Sequence, residues 1–270
     1  AMYKQDPKFT ADIVVNISVK DDNTIPNSKV KLRDDGEGDL KIWAVPNCLQ
    51  VENRYLVSVD IGGKSTTSDY TVMTVIDRFG MIPTVKGKPK VVARYRGHVR
   101  HDKLAWMAAA LAHYYDDALL VIESNTADRE KNNNTEGDHF LTILQEIADY
   151  YDNLYQRTSS SENVEDNVLA KYGFQTNKLT KQQVIDNLEE FIDDNLYEEP
   201  DKEMYHELRI YERHDDGSLG NIVGNGNHDD VVMSTGIGLF VSLTDMEKPS
   251  WKKAERRSRG GDGVHTAAKI

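Results

Sequence analysis

Apolar residues in this chain fall into short dense runs separated by polar turns, and the period of those runs changes along its length. "ADIVVNISV" (11–19) alternates, as a strand with one buried face does. A polar stretch rich in Asp and Gly follows and reads as a loop, and "LKIWAVP" (40–46) is a short strand before a Pro-Asn turn. The main pattern then begins. "RYLVSVDIGG" (54–63) is a buried strand ended by paired glycines, "DYTVMTVIDRFG" (69–80) a second strand and "KVVARYRG" (90–97) a third. "DKLAWMAAALAHYYDD" (102–117) has helical spacing, and "ALLVIESN" (118–125) is a fourth strand, short and continuously apolar.

Beyond it, 125–137 reads as a polar loop, 138–150 as a helix, "NLYQR" as a possible fifth strand and 159–166 as a mobile loop. "TKQQVIDNLEEFIDDN" (180–195) predicts an amphipathic helix with Thr180 as its N-cap. "ELRIYER" (207–213) and "LGNIVG" (219–224) resemble two strands around a tight turn, and 228–243 a final helix. Three strands joined by short links suit an antiparallel meander, and a fourth reached through a helix can lie parallel to the first. The expected class is therefore α/β, with a mixed sheet in ribonuclease-H-like order flanked by helices. The expected organisation is an N-terminal extension or linker over 1–39, a domain over 40–244 and a basic flexible tail over 245–270.

Composition narrows the partners. In 270 residues, 39% hydrophobic and 29% charged, no apolar run approaches the ~18–20 residues of a membrane span. Cys48 is the single cysteine, which excludes an internal disulfide and a cysteine-cluster zinc site. The net charge of −12 opposes phosphate binding in the sum, but its distribution matters more. Positive charge gathers at Lys86, Lys88, Lys90, Arg94, Arg96, Arg100 and Lys103, and again in "WKKAERRSR" (251–259), while acid concentrates over 189–203 and near 34–39.

Acids stand at the margins of apolar elements: Asp60 ends the first main strand, Glu123 ends the fourth, and Asp229 and Asp230 open the last helix. Singly, each has an ordinary reading. Asp at a helix start is usually a cap; Asp before Gly-Gly suits a turn. Glu123 is harder to dismiss, because Glu is depleted in strands. Together, a half-buried set of carboxylates needs a cation. Oxygen donors of this kind suit Mg²⁺ or Mn²⁺, and two such ions ~3.5–4 Å apart are suited to phosphodiester hydrolysis. Successive helix residues point ~100° apart, so Asp229 and Asp230 are not expected to do one job. Asp230 is placed on the metal, with Asp229 as second ligand or cap. His228 reads as a ligand, proton shuttle or phosphate contact, against the commoner solvated loop histidine. No His-x-x-x-His, Gly-x-Ser-x-Gly or Walker-type phosphate loop is present.

"GDLKIWAVP…RYLVSVDIGGKSTTSDYTVMTVID", "LLVIESNT…EGDHFLTILQE…NLYQR", "KYGFQTNKLTKQQVIDNLEEFI" and "ELRIYER…GNHDDVVMSTGIGL" occur in that order. In this the chain closely resembles the C-terminal nuclease domain of the tailed-phage (or prophage) terminase large subunit, from about residue 38 to 243. The resemblance implies a ribonuclease-H-like, Mg²⁺- or Mn²⁺-dependent endonuclease that cuts concatemeric double-stranded DNA as packaging starts and ends. By position it implies Asp60 and Glu123 as first and second metal-binding acids, Asp229 or Asp230 as the third, and Asp69 in support. It also implies a basic hairpin over 80–97 beside the site, with Lys86, Lys88, Lys90, Arg94 and Arg96 facing DNA. The implied partners are DNA, the terminase ATPase domain, the small terminase subunit and the portal protein, in the cytoplasm of an infected or lysogenic host, with no membrane. That ATPase is not in this sequence, and the opening Ala-Met suggests an excised domain. Two other classes remain open. "VDIGGKSTT" imitates the first phosphate loop of sugar-kinase- or actin-like phosphotransferases, and a catalytically silent DNA- or portal-binding module is the third reading.

Overall fold

In a computed structural model that describes residues 5–14, 31–63, 69–124, 139–157, 172–222, 224 and 226–252, seven strands form one mixed sheet. They are β1 (Phe9–Val14), β2 (Lys31–Asp34), β3 (Leu40–Ile42), β5 (Tyr55–Asp60), β6 (Thr71–Asp77), β7 (Lys90–Gly97) and β8 (Leu119–Ile122), in the spatial order β2-β1-β3-β7-β6-β5-β8. Among the described residues the neighbouring strands of this sheet pair antiparallel, except that β5 and β8 run parallel. The helix α1 (His101–Tyr114) makes the crossover between β7 and β8, as the meander-then-helix pattern requires. This is the expected ribonuclease-H-like arrangement. Two short ribbons lie outside the sheet: β4 (Val51–Glu52) with β11 (Ser250–Trp251), and β9 (Tyr211–Arg213) with β10 (Leu219–Asn221).

Helices cover both faces, which is why β5 and β6 read as continuous apolar runs rather than alternating ones. Side chains still sort by parity. Tyr55, Val57 and Val59 pack with Met73, Val75 and the α1 residues Leu104, Ala108 and Leu111. Leu56 packs with Val72 and Ile76 against α3 (Lys178–Asp193) and α5 (Asp230–Thr244). Ser58 and Asp60 share the parity of Leu56, so Asp60 belongs to the α5 side of the sheet. The remaining helices are α2 (His139–Ile147) and α4 (Lys202–Leu208).

Twelve of the 15 residues of α5 are buried, so it is enclosed nearly all round, as a helix wedged between a sheet and other helices must be. Gly238 permits the close approach: a Cβ there would come 2.7 Å from Ile76 Cδ1 and 3.2 Å from Ser58 Cβ. Polar side chains of α5 are partnered at the sheet, Ser234 Oγ lying 3.0 Å from both Ser58 O, to which it donates, and Thr74 Oγ1.

The structure departs from the sequence reading in several places. Residues 9–14 and 31–34, assigned to an extension, form strands at the edge of the sheet, because β1 pairs with β3. Of the region assigned to a flexible tail, Ser250–Trp251 pairs with β4, and 253–270 lies outside the described residues. So do the loops expected at 125–137 and 159–166. "NLYQR" makes isolated bridges at Leu154 and Gln156 instead of a strand. Residues 207 and 208 end α4 instead of opening a strand. The α3 cap is Asn177, whose side chain accepts from Leu179 N and Thr180 N, while Thr180 Oγ1 accepts from Asn177 N as the other half of a capping box. Asn177→Ala is expected to lower stability by about 1 kcal/mol, read as a shifted urea midpoint.

Arg94 requires a larger correction, since it was placed on the DNA. Its side chain is 1% exposed. It forms a two-pronged pair with Glu199 (3.0 and 2.9 Å), donates to Thr235 Oγ1 at 2.8 Å and lies 3.2 Å from Asp201 Oδ2. It therefore ties β7 to α5 and to the 198–201 segment from inside. Breaking a buried pair strands its partner's charge. Arg94→Ala should cost about 3 kcal/mol in urea unfolding; an unchanged midpoint would contradict the assignment.

Candidate metal centre

The acid edge is assembled from three directions. At the end of β5 the chain turns at Gly62, where an added Cβ would meet Asp69 O at 2.4 Å and Tyr70 C at 2.2 Å, so only glycine lets the two sides of this loop close. Gly63 N donates to Asp69 O at 3.0 Å and Gly62 N to Thr71 Oγ1 at 3.1 Å. These bonds fix Asp69 and Tyr70 beside Asp60. On the other side, parallel pairing of β5 with β8 places Glu123 next to Asp60, with Glu123 N donating to Val59 O at 2.9 Å. Glu123 is the neighbouring charge that bears most on Asp60. The third direction is α5, whose first residue, Asp230, is 6% exposed and accepts from Tyr70 N at 2.9 Å.

The two adjacent aspartates meet different partners. Asp229 Oδ2 lies 3.3 Å from Lys181 Nζ on α3. Asp230 Oδ2 lies 3.6 Å from His228 Nδ1, which is also 3.4 Å from Asp69 Oδ1. Neither aspartate accounts for the helix cap: Asp229 sits at the N-cap position without a side-chain cap bond. The first-turn N–H groups of Val231 and Val232 instead donate to Glu207 Oε2, at 2.7 and 3.1 Å.

The electrostatics are those of crowded carboxylates out of water. Burial pushes Asp60 well above the usual carboxylate range, and Glu123, Asp230 and Asp229 push further. Burial likewise raises Asp230 to about 7; the Tyr70 N–H opposes the rise, while Asp69 and Asp229 add to it. Glu207 is pushed up to about 8, chiefly by burial, against the N–H groups it caps. Among the described residues no Lys or Arg forms an ion pair with Asp60, Glu123 or Asp230. Ligand atoms of Asp69, His228 and Asp230 all lie within 4.8 Å of one another. A set of carboxylate oxygens with one imidazole at its margin suits a hard divalent ion such as Mg²⁺ or Mn²⁺. The residues present thus fit that group.

The basic candidates are not together. Register places Asp60 opposite Val72 and Val72 opposite Arg96, whereas Tyr55, Asp77 and Lys90 mark the other end of the same strands. Five residues of strand separate the ends by ~17 Å. Lys86, Lys88 and Lys90 therefore lie at the pole away from the acids, and the expected basic hairpin beside the site is corrected. Arg96 alone of the five stands at the acid edge, its guanidinium 3.6 Å from the centre of the Tyr70 ring and 3.8 Å from Glu207 Oε1. The sequence reading missed Glu207. The i, i+3 relation that sets Glu207 on the inner face of α4 with the fully buried Met204 exists only because 202–208 is helical, where the sequence pattern reads a strand from 207.

No family model matches the chain, and no curated protein matches it. Among solved structures it is similar to the large terminase nuclease from thermophilic phage G20c with bound magnesium, at 19% identity and TM-score 0.49 over 76% of this chain and 88% of that one. The same nuclease with bound cobalt gives 18% identity and TM-score 0.49, over 76% and 88%. The large terminase nuclease domain of Thermus phage P74-26 gives 22% identity and TM-score 0.47, over 77% and 87%.

Proposed function

We propose that this chain is a divalent-metal-dependent endonuclease acting on double-stranded DNA, the cutting part of a phage genome-packaging terminase. One observation carries the proposal. Asp60 and Glu123, from neighbouring parallel strands, stand at the same strand ends as Asp230, from the start of α5, and burial strongly disfavours the charged forms of Asp60 and Asp230. The order of the four sequence motifs adds the DNA-packaging context, with an ATPase domain, a small subunit and a portal as partners in the host cytoplasm. Among the described residues no helix is long and apolar enough to cross a membrane.

In this reading Asp60, Glu123 and Asp230 hold the metal, with Asp229 as a further donor tethered by Lys181 and Asp69 at the rim. When bound, one or two Mg²⁺ or Mn²⁺ ions supply Lewis-acid activation of water and stabilisation of the departing oxygen. The chain's own residues do the rest. Tyr70 N orients the Asp230 carboxylate, and the parallel pairing of β5 with β8 keeps Asp60 and Glu123 side by side. His228 Nδ1, between Asp69 and Asp230, is placed to hold a proton at the margin of the site. Arg96 supplies positive charge at the same edge. Purified protein should nick or linearise plasmid DNA with Mn²⁺ and lose this activity with EDTA. Turnover that survives EDTA, or turnover of ATP with a sugar in place of DNA, would overturn the reading.

A further inference from the structure

A buried helix N-terminus leaves N–H groups that need acceptors, and the first residues able to serve in α5 are its own two aspartates. Neither serves. Asp229 faces Lys181, Asp230 is held by Tyr70 N, and Val231 N and Val232 N both donate to Glu207 Oε2 from the neighbouring helix. Glu207 is 5% exposed. Its other oxygen faces Arg96, whose guanidinium lies over the ring of Tyr70, the residue whose N–H holds Asp230. The holds on the start of α5 are thus joined through Arg96.

We propose that Glu207 is a positioning residue for the metal centre. By capping α5 from outside, it spares the carboxylates of Asp229 and Asp230 from capping the helix, so that both can serve as ligands. Without it, the unsatisfied N–H groups would recruit the carboxylate at the N-cap position, Asp229, and the helix start would shift with Asp230 on it. The inference rests on the metal-nuclease reading above.

The test is Mn²⁺ titration by calorimetry on the folded protein, alongside plasmid cleavage. Glu207→Ala should weaken Mn²⁺ binding about tenfold or more. The Mn²⁺ concentration for half-maximal cleavage should rise in parallel, with KM for DNA unchanged. Glu207→Gln keeps an acceptor oxygen and should restore near-native affinity; equal weakness in the Gln and Ala variants would overturn the cap. Should Glu207→Ala fail to fold, Glu207→Asp, one methylene shorter, should show the same weakening. Native Mn²⁺ affinity in a folded Ala or Asp variant overturns the inference. Asp60→Ala in the same titration separates the two ideas. If it loses Mn²⁺ while Glu207→Ala keeps it, only the positioning role falls. If Asp60→Ala also binds Mn²⁺ normally, the metal-centre reading falls and takes the positioning role with it.

Discussion

Asp60→Ala is expected to abolish DNA cleavage while leaving the fold intact. Asp60 is buried among other acids, with Glu123 beside it and Asp230 and Asp229 adding their charge. Removing it deletes a central donor of the proposed metal site. Loss of about 4 kcal/mol of transition-state stabilisation corresponds to roughly a thousandfold in rate. Structurally the change relieves repulsion, because the carboxyl is held against its normal ionisation. The metal-free variant should therefore melt no lower than the native protein, and its melting temperature should no longer rise with Mn²⁺. Glu123→Ala should act in the same direction. Asp229→Ala should cost less, since Lys181 already draws that carboxylate to one side. Time courses of plasmid linearisation beside thermal melts check all three, and native cleavage by Asp60→Ala would falsify the metal assignment.

The second large effect is a pH-dependent stability that metal reverses. Asp230 titrates at about 7 in the folded chain against an ordinary 3.8, and Asp60 is shifted the same way. Between those values the folded state binds more protons than the unfolded one. The stability from these groups is thus full below pH ~4 and is lost as pH rises through about 7. For Asp230 alone this amounts to something on the order of 4 kcal/mol. In EDTA the protein should melt lower at pH 8 than at pH 5. Other carboxylates contribute with the opposite sign, so the decisive quantity is the difference from Asp230→Asn, which should grow as pH rises. With Mn²⁺ present the trend should reverse, because ligation requires the ionised form. A wild-type minus Asp230→Asn difference that stays flat across pH would contradict the buried-carboxylate account.

Much of this molecule was legible in order and period. "RYLVSVDIGG", "DYTVMTVIDRFG" and "KVVARYRG" became β5, β6 and β7, the first two shorter by up to three residues at an end, and the helix before "ALLVI" set β8 parallel to β5. The positions of Asp60, Glu123 and Asp230 at element ends were legible for a related reason: carboxylates at the margins of apolar runs are costly to bury. What failed was mostly polar. Arg94 and Arg96, two residues apart in one basic cluster, look equivalent in sequence, yet one is 1% exposed inside an ion-pair network and the other stands at the acid edge. Thr180 was chosen as the helix cap, and Asn177 holds that place. Glu207 looked like part of a strand and turned out to cap a different helix.

By itself, then, the sequence determined the main strands and the α1 crossover, and singled out acids at their margins, because period and apolar patterning are local properties of consecutive residues. Tertiary structure decided the pairings: that Asp60 stands beside Glu123, that Asp229 turns to Lys181 while Asp230 turns to Tyr70, and that Lys86, Lys88 and Lys90 lie ~17 Å from the acids. A charged or capping group is satisfied by whatever lies near it in space, often from 24 to 160 positions away along the chain, and no local pattern records that partner.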